Sequence, residues 1–271
     1  MADATSVRGN NLPGFVMKKL IPDLLKPGLR YLRKTIRYWG RGRYCPVCAR
    51  HASHFEPFGI VPRDDACCVW CGALERHRLV WLFLQRRTDF FSGTTPRKML
   101  HVAPERCFAQ RFRRVIGGGY LTADLLAEDV DVRMDICDMH LPDNSFDIIY
   151  CSHVLEHVAD DRRAMREFHR VLADTGWAVI LVPISAAVTF EDPSITDRGE
   201  RLRVFGQEDH VRRYGPDYID RLLEAGFVVS RVFPSDFLSR EEIERMAITD
   251  AAGEIFHCRK ASRSTDPIAS A

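Results

Sequence analysis

From Lys98 onward, short apolar runs alternate with amphipathic stretches. MLHVA at 99–103, YLTAD at 120–124, FDIIYC at 146–151, WAVILVP at 177–183 and FVVSRVF at 227–233 are strand-length and rich in aliphatic and aromatic residues. The segments between them carry helical periodicity. The clearest spans Asp161 to Leu172, where Ala164, Met165, Phe168, Val171 and Leu172 make one apolar stripe and Gly176 follows its end. A second helix opens at Pro216 and stops before Gly226. Alternating strands and helices of this kind predict an α/β domain with a parallel, doubly wound sheet over residues 96–261.

Upstream the texture differs. Leu25, Leu29, Leu32 and Ile36 recur at helical intervals, with Lys26, Arg30, Arg33, Lys34 and Arg37 on other faces, and Pro22 and Pro27 are expected to limit this stretch to short helical pieces. Residues 44–75 read as a separate loop-rich module. Leu74 to Phe91 is an apolar, Arg-bearing helix, so that 76–95 links the module to the α/β domain. Residues 262–271 are expected to be disordered on composition.

Charge sharpens this division. The leader, residues 1–43, holds ten Lys or Arg against two Asp, which leaves 29 basic and 35 acidic residues for the rest. A basic leader on a mildly acidic body calls for an anionic partner for the leader alone, either a membrane surface or nucleic acid phosphates, unless its apolar stripe packs on the body. No apolar stretch approaches the roughly 20 residues needed to cross a bilayer. The start of the chain shows no apolar signal core, so the expected location is cytoplasmic, with the leader peripheral at the inner face of the membrane.

Nine cysteines are an odd number, and four of them form two C-x2-C pairs, Cys45/Cys48 and Cys68/Cys71, separated by 19 residues. Each tight turn can donate two thiolates, so the spacing predicts a structural Zn2+ site of zinc-ribbon type with no open coordination position. Cys67 stands beside Cys68 and competes with it for the role. His51 and His54 read as surface residues. Cys107, Cys137, Cys151 and Cys258 lie far away and read as buried small apolar residues.

The strand FDIIYC runs into Ser152-His-Val-Leu-Glu-His157, an acidic turn, the helix ending Arg170-Val-Leu172, then Gly176 and WAVILVP. This ordered combination resembles the class I S-adenosylmethionine (SAM)-dependent methyltransferases related to ubiquinone-biosynthesis and similar small-molecule enzymes, over roughly Lys98 to Lys260. The resemblance implies a Rossmann-like fold with SAM across the strand ends. It assigns Asp124, at the end of the second strand, to the ribose hydroxyls, with Leu125 beside it. Asp135 and Ile136 match the pair that recognises adenine. Cys151, Ser152 and His153 are expected to line the cofactor at the mouth of the fourth strand. His157 matches the family's L-E-H element.

One departure stands out. The family's first strand runs into an acid-x-Gly-x-Gly turn, whereas this chain has Met99-Leu-His-Val-Ala-Pro-Glu105, with His101 in the acidic position and Ala103 and Glu105 where glycines would stand. Pro104 is suited to opening the next helix, and Glu105 to receiving the ammonium of SAM in compensation.

Between the fifth strand and the helix at Pro216, residues 184–215 hold Glu191, Asp192, His210, Arg212 and Arg213, a density of charge expected of a substrate lid. His153 and His210 are the candidate bases, with Glu191 a third catalytic candidate, because a hydroxyl or protonated amine must lose a proton as it is methylated. Three functions are compatible with the chain: methyl transfer to a small molecule or a carrier-linked sugar or lipid; RNA methylation using the zinc module and leader; and a non-catalytic interaction protein on a methyltransferase scaffold.

Overall fold

The computed structural model describes residues 26–93 and 97–261. By its contacts the chain divides after Trp39. The first unit contains α1 (Lys26–Arg37), a twelve-residue helix. Pro27 does not interrupt it, because it stands in the first turn, where its missing N–H has no intrahelical partner to lose. Pro22 and residues 262–271 lie outside the described residues.

The second unit begins with the cysteine module. Strands β1 (Arg43–Cys45) and β2 (Arg50–Ala52) pair antiparallel across the first cysteine turn, and β3 (Glu56–Phe58) pairs with β4 (Arg63–Cys67). The second cysteine turn is closed by Cys68 N–H to the Ala73 carbonyl at 2.9 Å and Gly72 N–H to the Cys68 carbonyl at 2.8 Å. Gly72 has φ +75°, the left-handed backbone that favours glycine.

Helix α2 (Glu75–Arg87) does more than link. It buries Leu79, Val80, Leu82, Phe83 and Leu84, and its Trp81 stacks on Phe108 and Phe112 with ring centroids 6.0 and 6.4 Å apart. Those phenylalanines belong to α3 (Arg106–Ile116), which follows β5 (Met99–Val102), the first strand of the main sheet. Next come β6 (Tyr120–Asp124), β7 (Val132–Arg133), β8 (Phe146–Ser152), α4 (Asp161–Val171) and β9 (Leu172–Leu181). α4 buries the predicted stripe, Ala164, Met165, Phe168 and Val171, under an N-cap in which the Asp160 carboxylate accepts from Arg163 N–H at 2.9 Å. Leu172 already starts the strand, so Gly176 lies within β9 rather than past a helix end.

The segment expected as a loop lid has its own structure. β10 (Phe190–Glu191) pairs antiparallel with β11 (Arg212–Arg213), and α5 (Arg198–Phe205) sits between them, capped by the Asp197 carboxylate and ended by Gly206 in the left-handed region. Helix α6 (Tyr218–Glu224) ends before Gly226, as its pattern predicts. β12 (Phe227–Val232) and α7 (Arg240–Arg245) follow, and β13 (Ile255–Lys260) closes the sheet.

The main sheet has the order β12-β13-β9-β8-β5-β6-β7. All neighbours from β9 to β7 are parallel, and β13 runs antiparallel to β12 and β9. The chain winds outward from β5 through β6 to β7, and from β8 to β9 on the other side. The order therefore reverses between β5 and β8, and a crevice opens at their carboxyl ends, where Val102 pairs with Cys151.

Candidate active site and cysteine cluster

Two residues flanking this crevice hold a left-handed backbone without being glycine: Ala103 at φ +47°, just past β5, and His153 at φ +56°, just past β8. Strain of this kind concentrates at functional sites. Ala103 keeps the conformation a glycine would supply, and its N–H donates to the Ala123 carbonyl at 2.8 Å. Pro104 stands ahead of the cap of α3 rather than in the helix, and Glu105 is the cap residue.

The side chains of this turn face inward. His101 is fully buried, with Nδ1 2.7 Å from the Tyr120 hydroxyl and Nε2 2.7 Å from Glu105 Oε2. Glu105 Oε1 accepts from the Tyr150 hydroxyl at 3.3 Å and lies 3.6 Å from His77 Nε2. Burial pushes the Glu105 carboxyl up, but His101 and His77 overcome it and hold the group well below the usual carboxylate range. Both oxygens are thus engaged within the protein, and Glu105 serves a chain running Tyr120–His101–Glu105–Tyr150. Nothing in the spacing signalled Tyr120, Tyr150 or His77 as its members.

Around the crevice, Asp124 Oδ1 accepts from the N–H groups of Leu126 at 2.7 Å and Ala127 at 2.9 Å, which fixes the carboxylate at the strand end beside exposed Leu125. Asp135 Oδ1 accepts from Cys137 N–H at 2.8 Å, and Ile136 is buried next to it. Ser152 is nearly buried at the end of β8. Cys151 has no exposed surface and packs as a core residue, with burial pushing its thiol up, so it does not line the crevice.

His153 is brought to the centre. Its N–H donates to the Leu181 carbonyl at 2.8 Å, and Nδ1 lies 3.4 Å from Oε1 of buried Glu156. It lines two cavities: one of about 610 Å3 shared with Leu181 to Ile184 and residues 233–254, and one of about 1190 Å3 bounded by the β3–β4 hairpin, Arg76 of α2 and the insert. His210 lines the larger cavity as well. Burial lowers the pKa of His210, and the neighbouring His157, whose ring stands edge-on at 4.6 Å, lowers it further. Glu156, His157 and His210 hold their ligand atoms within 4.8 Å of one another.

Glu191 is put to a different use. It accepts from Arg212 Nε at 2.7 Å and Arg221 Nη2 at 3.0 Å, and it lines neither cavity. Arg221 Nη1 also donates to Asp161 Oδ2 at 2.8 Å, which accepts from the Tyr214 hydroxyl at 2.6 Å. Partial burial raises the Glu191 pKa, but the two guanidinium groups outweigh it and hold the pKa at about 2, too low for a base near neutrality.

In the module, Cys45, Cys48, Cys68 and Cys71 converge with all four Sγ atoms within 4.8 Å of one another, and Cys67 stands outside the group. The distances Cys45–Cys71, 3.7 Å, and Cys48–Cys68, 3.8 Å, are far too long for disulfides. With metal–sulfur bonds of about 2.3 Å, a tetrahedron has edges of roughly 3.8 Å. Arg78 of α2 supplies a second observation. Its guanidinium is fully buried over the Phe55 ring and donates to the carbonyls of Ala66 at 2.9 Å, Ala73 at 2.8 Å and Ala247 at 2.8 Å, all neutral groups. A buried cation needs a counter-charge, and a metal held by four thiolates is net negative.

Residues 120–180 match the family described as Methyltransferase domain. No curated protein matches the chain. Among solved structures, the chain is similar to a SAM-dependent methyltransferase from Mesorhizobium loti at 18% identity, covering 66% of this chain and 97% of that one, with TM-score 0.48. It is also similar to a SAM-dependent methyltransferase from Archaeoglobus fulgidus, at 18% identity, 67% and 93% coverage and TM-score 0.43. A third is the [4+2]-cyclase SpnF, at 17% identity, 77% and 88% coverage and TM-score 0.46. At these levels the similarities assign no substrate. The strand order and the family match together identify the core as that of a SAM-dependent methyltransferase enzyme.

Proposed function

We propose that the protein transfers a methyl group from SAM to a small-molecule or carrier-linked acceptor held in the larger cavity. The observation that carries this reading is His153, a strained residue just past the end of β8 that lines that cavity. The residues present fit the cofactor at its adenosine end. Asp124 keeps Oδ2 free of partners among the described residues for the ribose, and Asp135 with Ile136 offers a carboxylate beside an apolar surface for adenine. Ala103 keeps the backbone of the adjoining turn open in the left-handed form.

SAM supplies an activated methyl on a sulfonium, so the protein's work is to orient, to exclude water and to remove a proton. His153 accepts the acceptor's proton at Nε2, with Nδ1 directed toward Glu156, a carboxylate that stabilises the imidazolium that results. His210, kept neutral by its surroundings, helps to close the same cavity from the insert. Zinc at Cys45, Cys48, Cys68 and Cys71 holds the module that forms the opposite wall, and residues 1–43 make a peripheral contact with an anionic membrane, which liposome flotation with and without them tests.

The deciding experiment compares wild type and His153→Gln after a labelled-methyl metabolite screen has supplied an acceptor. Calorimetry should give SAM affinities within about threefold of each other, while turnover falls by roughly 100-fold or more, in the range of a lost general base. Full turnover in the variant would remove His153 from the chemistry.

A further inference from the structure

We propose that the acceptor is an anionic amphiphile, a carboxylate or a phosphate monoester on an apolar body, and that Arg76 receives its charged end. This rests on the reading of the larger cavity as the acceptor chamber. Among the described residues no Asp or Glu lines that cavity, whereas Arg63, Arg76, Arg212, His153 and His210 do. Such a lining favours an anion and disfavours a cation.

The three guanidinium groups are not equivalent. Arg63 is neutralised by Glu75, with Nε 2.9 Å from Oε1 and Nη2 3.2 Å from Oε2. Arg212 is committed to Glu191 and to the carbonyls of Leu155 and Ala159, at 2.7 and 2.8 Å. Arg76, in the first turn of α2, has neither carboxylate nor carbonyl partner among the described residues, and its Nε is buried without an acceptor. A buried N–H left unpaired is costly unless a ligand completes it. The planar fork of arginine matches the two oxygens of a carboxylate or phosphate.

The rest of the wall is apolar. The tip of the β3–β4 hairpin presents Phe58, Ile60 and Val61, with Ile60 73% and Val61 79% exposed, between Pro57 and Pro62, and Phe205 of α5 also lines the cavity. Large aliphatic side chains held this far into solvent are suited to cover an apolar ligand. The volume, about 1190 Å3, is at the upper end for small-molecule sites. The cysteine module is thereby a recognition wall as well as a scaffold.

The test uses the full chain with octyl phosphate, octanoate and 1-octanol as probes, read by calorimetry, alongside SAM. Both anions should bind at least tenfold more tightly than 1-octanol, and the tighter of the two tells phosphate from carboxylate. Arg76→Ala should weaken anion binding at least tenfold, with Arg76→Lys intermediate, while 1-octanol affinity, SAM affinity, zinc content and melting temperature stay unchanged. Equal binding of 1-octanol and the anions overturns the proposal, as does an Arg76→Ala affinity for anions within twofold of wild type. A loss confined to SAM also overturns it, by assigning the guanidinium to the carboxylate of the donor. Wild-type protein that binds the anions through Arg76 but binds no SAM would instead retire the methyl-transfer reading and leave the anion site standing.

Discussion

The cysteine module and the insert over residues 184–215 wall the same cavity from different parts of the chain, and they are held by opposite chemistry. The module has short strands. Its order comes from four convergent thiols and from Arg78, a cation surrounded by backbone carbonyls. The insert has no cysteine. It is anchored by two acids, Asp161 and Glu191, interleaved with Arg212, Arg221 and the Tyr214 hydroxyl. One wall carries four thiols placed to take a metal from outside the chain, while the other is held by charges the chain carries. They should therefore fail under different insults, and three experiments can separate them.

The largest effect is expected from removing the metal-type site. Cys68→Ser, or chelation of the wild type at neutral pH, should abolish zinc binding, expose residues 43–72 to limited proteolysis and eliminate ligand binding in the larger cavity, because structural sites of this kind contribute folding energy outright. Cys67→Ser should retain its zinc and its protease resistance; loss of both would move the ligand role from Cys68 to Cys67. A chelated protein with an intact module would break the comparison, since the two walls would then be alike.

Next in size is Asp161→Ala. It leaves Arg221 with Glu191 alone and the Tyr214 hydroxyl with only the Leu155 carbonyl at 3.3 Å, and breaking a buried network in this way costs about 1–3 kcal/mol. Denaturant unfolding should show that loss at constant zinc content. A change under 1 kcal/mol would mean that the network does not anchor the insert.

The smallest effect is the acid response of Glu191. Its folded pKa, about 2, lies below that of an unfolded carboxylate, so its contribution is complete above the ordinary carboxylate range and fades as pH falls toward 2. Glu191→Gln should flatten this part of the stability-against-pH curve between roughly pH 5 and 2, modestly because the side chain is partly exposed. An unchanged curve would remove Glu191 from the linkage.

β5, β6, β8 and the second half of β9 were legible because they are largely apolar runs, as expected where both faces are covered, whereas the two-residue β7, Val132–Arg133, carries no such run. β13 was not, since Ile255–Lys260 reads IFHCRK, half polar and basic. It becomes a strand because β12 and β9 hold its backbone from both sides, a pairing no local pattern reveals. The convergence of two C-x2-C pairs was legible from spacing, while the choice of Cys68 over Cys67 for that cluster needed the turn itself. Glu105 and Glu191 show the other limit. Each is an acid in a suggestive place, but His101 and His77 engage the first and Arg212 and Arg221 the second, from 4 to 30 residues away in sequence. Arg76 and Arg78 looked alike as charges on a helix, and only burial tells one from the other.

Three consecutive residues at the start of α2 face three different compartments: Arg76 the larger cavity, His77 the Glu105 chain, and Arg78 the carbonyls of the module. Successive helical positions point about 100° apart, so these directions are fixed by count alone. A single residue inserted or deleted between Leu74 and Leu79 would turn every one of them to a neighbour's station at once. The numbering of this turn has no slack.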